Sequence, residues 1–295
     1  MMSDRKFKSY NPYDLSVGER QKLLTSAVAP RPICFASTVD KEGKVNLSPF
    51  SFFNVFSANP PVMIFSPARR GRDGTTKHTY ENLLEVPEAT INIVNYAIVE
   101  QMSLASTEYD KGVNEFVKAG FTEIPSDSIR PPRVAESPVS FECKVDDVVE
   151  LGNEGGAGNL VISTVTRIHL NEDYLNSAGE LDTKKLDLVG RMGGSWYTRA
   201  SGNSLFEIPK PLQNKGIGFD HLPDSIKRST ILNGNNLGRL ANLDSKPGSS
   251  EIDAANSEFK LDDLSLDQAH QLAKGILESG DTKKALAILF AKANV

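Results

Sequence analysis

Two long β-rich runs, SFECKVDDVVELG (140–152) and NLVISTVTRIHL (159–170), are joined by NEGGAGN, a flexible Gly-rich turn. Upstream lie shorter runs of the same character: ICFASTV (33–39), NLSPFSFFNVF (46–56), PVMIF (61–65) and ATINIVNY (89–96). The first two are separated by DKEGK, which has the Asp, Gly and Lys of a hairpin connection. PVMIF is apolar throughout and reads as a buried strand. Helical patterns are few and scattered. One covers 14–24 and is ended by APRP; another starts at KHTYENLLEV with Thr79 as its N-cap; EQMSLAS and EFVKAG follow, with Gly120 as a stop. Regular strand–helix alternation is missing, so the expectation is a mainly β, barrel-like antiparallel core with peripheral helices rather than a doubly wound sheet.

The chain has 295 residues, room for one large domain or one domain with an appendage, and its 39% hydrophobic and 24% charged residues suit a packed core. A net charge of −5 argues against a nucleic-acid-binding surface. The two cysteines, Cys34 and Cys143, are too few for a structural zinc site and read as buried free thiols, and no metal is expected. The N-terminal MMSDRKFKSYNPYD has no apolar signal core, and no run approaches the length of a membrane span. The expectation is a soluble, cytoplasmic protein with no membrane and no nucleic-acid partner. Three regions are expected: a β domain over 1–205, a Pro/Gly-rich and polar linker over 206–263, and a helical hairpin over 264–295 that docks on the main domain or on a second chain.

The familiar catalytic patterns are missing: GNEGGAGN does not have GxGxxG spacing, GRDGTTKHT lacks the phosphate-loop spacing, and there is no HExxH or GxSxG. The stretch 66–79 is unusual. It holds Arg69, Arg70, Arg72 and Lys77 against the single acid Asp73, with Ser66, Thr75, Thr76 and Thr79 among them. It reads either as a solvated loop or as an anion site, because cations with short hydroxyls near a helix start suit a phosphate monoester. Just upstream, strand alternation puts Phe50, Phe52 and Phe56 on one face and Phe53 on the other, mostly as core.

Together, APRPICFASTVDKEGKVNLSPFSFFNVFSANPPVMIFSP, the KHT at a helix start and INIVN in the next strand resemble the flavin reductase-like, flavoredoxin-type FMN-binding split-barrel family, over about residues 20–205. The resemblance implies a homodimeric six-stranded antiparallel split barrel holding FMN near the subunit interface. By position, Ser48, Phe50, Ser51, Phe52 and Asn54 would run along the ring and ribityl chain. Ser66, Arg69, Lys77 and Thr79 would hold the ribityl end and phosphate. Arg191 and Tyr197 of GRMGGSWYTRAS would approach the flavin or the partner chain. Many relatives carry Asp where this chain has His78. The activity implied is hydride transfer from NADH or NADPH to flavin and onward to an acceptor, with no protein acid or base named. Alternatives are a non-catalytic FMN carrier or electron-transfer protein, a barrel binding another ligand such as haem, and an interaction protein that merely retains the barrel.

Overall fold

The computed structural model describes residues 6–208 and 215–293, and the chain divides into two compact units, Met1–Phe206 and Glu207–Val295. The expectations for the first five residues, for 209–214 of the linker and for the last two residues of the hairpin lie outside the described residues.

In the first unit, helix α1 (Val17–Ala27) starts at a capping box in which Ser16 and Glu19 satisfy each other's amides. It begins and ends about three residues later than its pattern predicts and buries none of its side chains. Strands β1 (Cys34–Val39), β2 (Val45–Phe50), β3 (Phe53–Ala58), β4 (Pro61–Phe65) and β5 (Glu88–Ile93) follow, with α2 (His78–Glu85) between β4 and β5. Next come α3 (Val99–Leu104), α4 (Glu115–Ala119), the two-residue strands β6 (Glu123–Ile124) and β7 (Arg133–Val134), and the long strands β8 (Val139–Glu150) and β9 (Asn159–Leu170). Gly120 closes α4 in the left-handed conformation, at φ 71°. A short α5 (Thr183–Leu186) and the ribbon of β10 (Val189–Arg191) and β11 (Tyr197–Arg199) complete the unit.

The main sheet is antiparallel, with seven strands rather than the expected six, in the order β2-β1-β5-β8-β9-β4-β3. The extra strand arises because 46–56 is two strands. The chain breaks at Ser51–Phe52 and sends β2 and β3 to opposite ends of the strand order. A bulge between Val55 and Ser57 then shifts the side-chain parity of β3. The phenylalanines therefore part company: Phe50 is buried, Phe53 half-buried, and Phe52 and Phe56 are 43% and 63% exposed, not core. β4 likewise buries Met63 and Phe65 but leaves Val62 and Ile64 half-buried.

Cys34, Phe50, Phe65 and Ile91 belong to one apolar cluster of the sheet, while Phe35, Leu47 and Phe116 belong to a second. Both cysteines are free and buried, and burial pushes the Cys143 thiol up to about 12. Glu142 on β8 is fully buried. Burial alone raises its pKa, but the Ser128 hydroxyl, the Asp127 and Ser128 amides and His169 all bond its carboxylate and bring it down to about 2. His169, Glu142 and Asp127 bring ligand-type atoms within 4.8 Å of one another, and the Glu142 oxygens are already engaged by these donors.

The second unit is helical: α6 (Asp224–Lys227), α7 (Gly234–Ala241), α8 (Ser249–Phe259), α9 (Leu266–Glu278) and α10 (Thr282–Ala293). Residues expected as a linker thus carry α6, α7 and α8. Ile252, Ala255 and Phe259 recur at helical spacing within a mostly polar segment and join one core with Leu240, Leu277 and Leu286. α10 buries six consecutive residues, Ala285–Phe290, because α6 to α9 all contact it.

The turn between β8 and β9 locks onto the basic loop that follows β4. Arg69 N–H donates to Ala157 O at 2.8 Å, and Gly156 N–H donates to Arg69 O at 3.0 Å. A Cβ on Gly155 would stand 2.9 Å from Gly71 O and 3.0 Å from Arg70 O. Gly155→Ala is therefore expected to cost the first unit about 1–3 kcal/mol by overpacking, read from the denaturant midpoint by circular dichroism; an unchanged midpoint would show that the two loops part freely. For Glu142, a folded pKa below the ordinary value means stabilisation that is present above about pH 4.5 and lost as pH falls towards 2. Glu142→Gln is expected to flatten that part of the stability–pH curve, by a few kcal/mol in total. Parallel acid limbs in the two proteins would contradict this.

Candidate functional site

A cavity of about 590 Å³ opens where the β2–β3 break, the end of β4, α1 and the segment after β10 meet. Phe50 and Phe52 supply its aromatic surface and Ser51 and Ser66 its hydroxyls. Lys22, Arg31, Lys77 and Arg191 also line it, and no carboxylate does. None of these four cations forms an ion pair among the described residues. The Ser66 hydroxyl is buried and has no hydrogen-bond partner.

Arg31 is the most enclosed of the four, at 8% exposure. Its guanidinium donates to Thr25 O and Val28 O at the end of α1, to Met192 O at 3.2 Å and, at 3.4 Å, to Ser51 Oγ. Burial, with Arg191 close by, lowers its pKa. The backbones of Arg31 and Arg191 exchange two hydrogen bonds of 2.8 and 3.0 Å.

Lys77 is placed by α2. The helix is capped by Lys77, not by Thr79 as its pattern predicts. Thr79 is buried and accepts from Asn46 Nδ2 of β2 at 2.9 Å, and Asn82 Nδ2 donates to Thr38 Oγ1 of β1 at 3.2 Å. These two bonds pull the first turn onto the sheet and leave Lys77 at the cavity wall. Burial, followed by Arg70, lowers the Lys77 pKa, with Glu108 opposing. Burial also lowers that of His78; Glu81 opposes this, while Arg70, Lys111 and Lys77 add to it.

A neighbouring cavity of about 710 Å³ shares Gln21, Thr25, Phe52, Ala68 and Lys77 with the first and adds Arg69, Arg70, Arg72 and the β8–β9 turn. Here the three arginines of the loop after β4 are matched by acids. Arg69 meets Glu150 at 3.1 Å, Arg70 meets Glu108 at 3.0 Å, and Arg72 meets Asp73 and Glu108, each at 2.8 Å. The loop arginines are thus largely neutralised, whereas the 590 Å³ cavity is lined by four cations without an ion pair among the described residues, Lys77 being shared with the larger cavity.

The structure gathers Phe50, Ser51, Phe52, Ser66, Lys77 and Arg191 into that one cavity. Arg69 lines the neighbouring cavity, and Tyr197 lines a side pocket of about 170 Å³ that also touches Arg191. Ser48, Asn54 and Thr79 line none of the three. Ser48 is half-buried opposite Ala36, Asn54 is exposed with its side chain accepting from Val55 N–H, and Thr79 is held by Asn46. Sequence reasoning missed Arg31 and the α1 residues Gln21, Lys22 and Thr25. The only signal for Arg31 was its place in APRP between Pro30 and Pro32. α1, with no apolar face turned inward, gave none.

Among the described residues, no helix is long and apolar enough to cross a membrane. Residues 26–185, more than half of the chain and wholly within the first unit, match the family described as flavin reductase like domain. An uncharacterised protein of Halalkalibacterium halodurans is 37% identical over 207 residues, covering 70% of this chain and 98% of that protein. The crystal structure of nitrilotriacetate monooxygenase component B from Bacillus cereus superposes with a TM-score of 0.64 at 29% identity, covering 70% of this chain and 100% of that one. Flavoredoxin of Desulfovibrio vulgaris shares the fold, with a TM-score of 0.53 at 21% identity over 63% of this chain and 93% of that one. With its seven-stranded antiparallel sheet, its peripheral helices and this match, the chain belongs to the flavin reductase-like family.

Proposed function

We propose that this chain is an FMN-dependent oxidoreductase that takes hydride equivalents from NADH or NADPH and passes the electrons to an acceptor. The observation that carries the reading is the 590 Å³ cavity, with two phenylalanines, a buried Ser66 hydroxyl without a partner and four unpaired cations. A flat ring system ending in a phosphate dianion fits that surface: the rings take the apolar wall, the phosphate takes the charge, and Ser66 gains a partner.

When bound, FMN supplies the hydride and electron chemistry, and the protein supplies position and electrostatics. Lys77, held by α2 and lacking an acidic partner, carries the phosphate charge with Ser66 beside it. Arg69 serves from the neighbouring cavity, where Glu150 shares its charge. Phe50 and Phe52 supply the apolar wall, and Ser51 offers its hydroxyl. Thr79, through Asn46, keeps Lys77 in place and does not itself touch the ligand. α1 lines one side of the cavity with Gln21 and Thr25. Arg70 and Arg72, in the neighbouring cavity, meet the phosphates of the nicotinamide nucleotide by exchanging Glu108 and Asp73 for them. We further propose a homodimer, supported by the end strand β3, which exposes Val55 and Phe56 at 59% and 63%.

Purified protein, or protein supplied with FMN, is expected to show flavin absorbance that bleaches on anaerobic addition of one nicotinamide nucleotide. Bands that persist with both nucleotides would leave a flavin carrier, and no uptake of FMN would overturn the site. Lys77→Met is expected to weaken FMN binding about ten- to hundredfold, as for a lost charge-assisted hydrogen bond. Arg69→Met is expected to weaken it less, because that guanidinium is already shared with Glu150. Fluorescence titration of the flavin-free variants measures both, and the reverse order would move the phosphate to the Arg69 side.

A further inference from the structure

The side pocket of about 170 Å³ has a chemistry of its own. Its floor is apolar: Ile33, Phe50 and Met102 are 4%, 6% and 3% exposed. Its rim is polar: Ser51, Ser103, Ser106, Tyr197 and Arg191. No acid lines it. The Arg191 guanidinium lies over the Tyr197 ring, 4.6 Å from its centroid, and has no ion-pair partner among the described residues. A guanidinium held over a ring face by its charge keeps N–H donors available to a ligand. The Ser106 hydroxyl is committed to Ser103 O, at 2.5 Å, whereas the exposed Ser103 hydroxyl has no hydrogen bond among the described residues.

Charge and size together narrow the ligand. The main cavity and the side pocket share Pro49, Phe50, Ser51 and Arg191, so an occupant of one abuts an occupant of the other. A phosphate dianion answers to about two of the four unpaired cations, and Lys77 stands with Ser66 on one side of the main cavity. Arg31 and Arg191, joined through their backbones, remain as a second positive centre at Ser51. A nucleotide is too large for the side pocket. An apolar space of about 150 Å³ accommodates a benzene-sized group, and a planar guanidinium edge pairs best with a planar carboxylate.

We propose that this pocket is the subsite for a second substrate, a compact aromatic or cyclic monocarboxylate whose ring rests on Ile33, Phe50 and Met102 and whose carboxylate is held by Arg191 with Ser103. Tyr197 is a positioning residue that orients Arg191. The idea rests on the oxidoreductase reading for the word substrate, but binding itself does not require flavin. The test therefore uses flavin-free, full-length protein.

Benzoate is titrated by calorimetry and by protein-observed NMR, with benzamide and inorganic phosphate as comparisons. Benzoate is expected to bind, benzamide to bind at least about tenfold more weakly, and phosphate not to compete. Arg191→Met is expected to weaken benzoate about ten- to hundredfold. Arg191→Lys, which keeps charge but not the planar edge, and Tyr197→Leu, which removes the stack, are expected to fall between. Arg167→Met, which removes a charge on β9 that lines neither cavity, is the control and is expected to bind as wild type. Circular dichroism confirms that each variant is folded; should Arg191→Met fail to fold, Arg191→Lys and Tyr197→Leu decide alone. No benzoate binding, equal binding of benzamide, competition by phosphate, or wild-type affinity in both Arg191 variants would each overturn the proposal. FMN uptake, measured separately on the same samples, shows whether the flavin reading stands or falls independently.

Discussion

A single guanidinium without a carboxylate partner holds the site together. Arg31 reaches the carbonyls that end α1, the hydroxyl at the break between β2 and β3, and the carbonyl of Met192 after β10. These segments are separated by up to 161 residues in sequence. Burying a cation this deeply is unfavourable unless every donor is satisfied. Here backbone carbonyls do most of that work, so the residual charge is not cancelled by a carboxylate. The same residue thus builds three walls of the cavity and gives it positive charge.

The contrast with the basic loop after β4 is the main lesson about electrostatics in this molecule. Arg69, Arg70 and Arg72 are conspicuous in sequence, yet each finds an acid from a distant or adjacent part of the chain. Exposed pairs of this kind contribute little to stability. Their effect is to shape the loop, which the Gly-rich turn between β8 and β9 grips by backbone hydrogen bonds. Unpaired positive charge collects instead where side chains from α1, β10 and the start of α2 converge, and an anionic ligand is drawn to that surface.

The two units show two ways of burying apolar surface. The sheet unit uses strand alternation, interrupted by a chain break and a bulge that bring Phe52 out to the cavity and leave Phe56 at the strand's exposed face. The helical unit wraps short, mostly polar helices around α10, which is buried on all sides. The family match lies entirely inside the first unit, so the flavin-linked chemistry is argued from that unit alone.

By itself, the sequence determined the strands β1, β4, β5, β8 and β9, the stop at Gly120 and the antiparallel class, because these rest on local periodicity and turn chemistry, and its ordered motifs carried the resemblance to the family. Of the residues that the resemblance implied, Phe50, Ser51, Phe52, Ser66, Lys77 and Arg191 line one cavity in the structure. The tertiary structure decided what local pattern does not encode. Thr79 became a buried brace and not a cap because Asn46 on another strand draws it inward. Residues 46–56 became two strands because the chain turns at Ser51–Phe52 and pairs its first half with β1 and its second with β4. The segment 249–259 became a helix because α10 offers its few apolar residues a core. Above all, which cations stay free depends on where distant carboxylates fall: the folded chain brings Glu108 and Glu150 to the loop arginines, and among the described residues no acid pairs with Arg31 or Arg191.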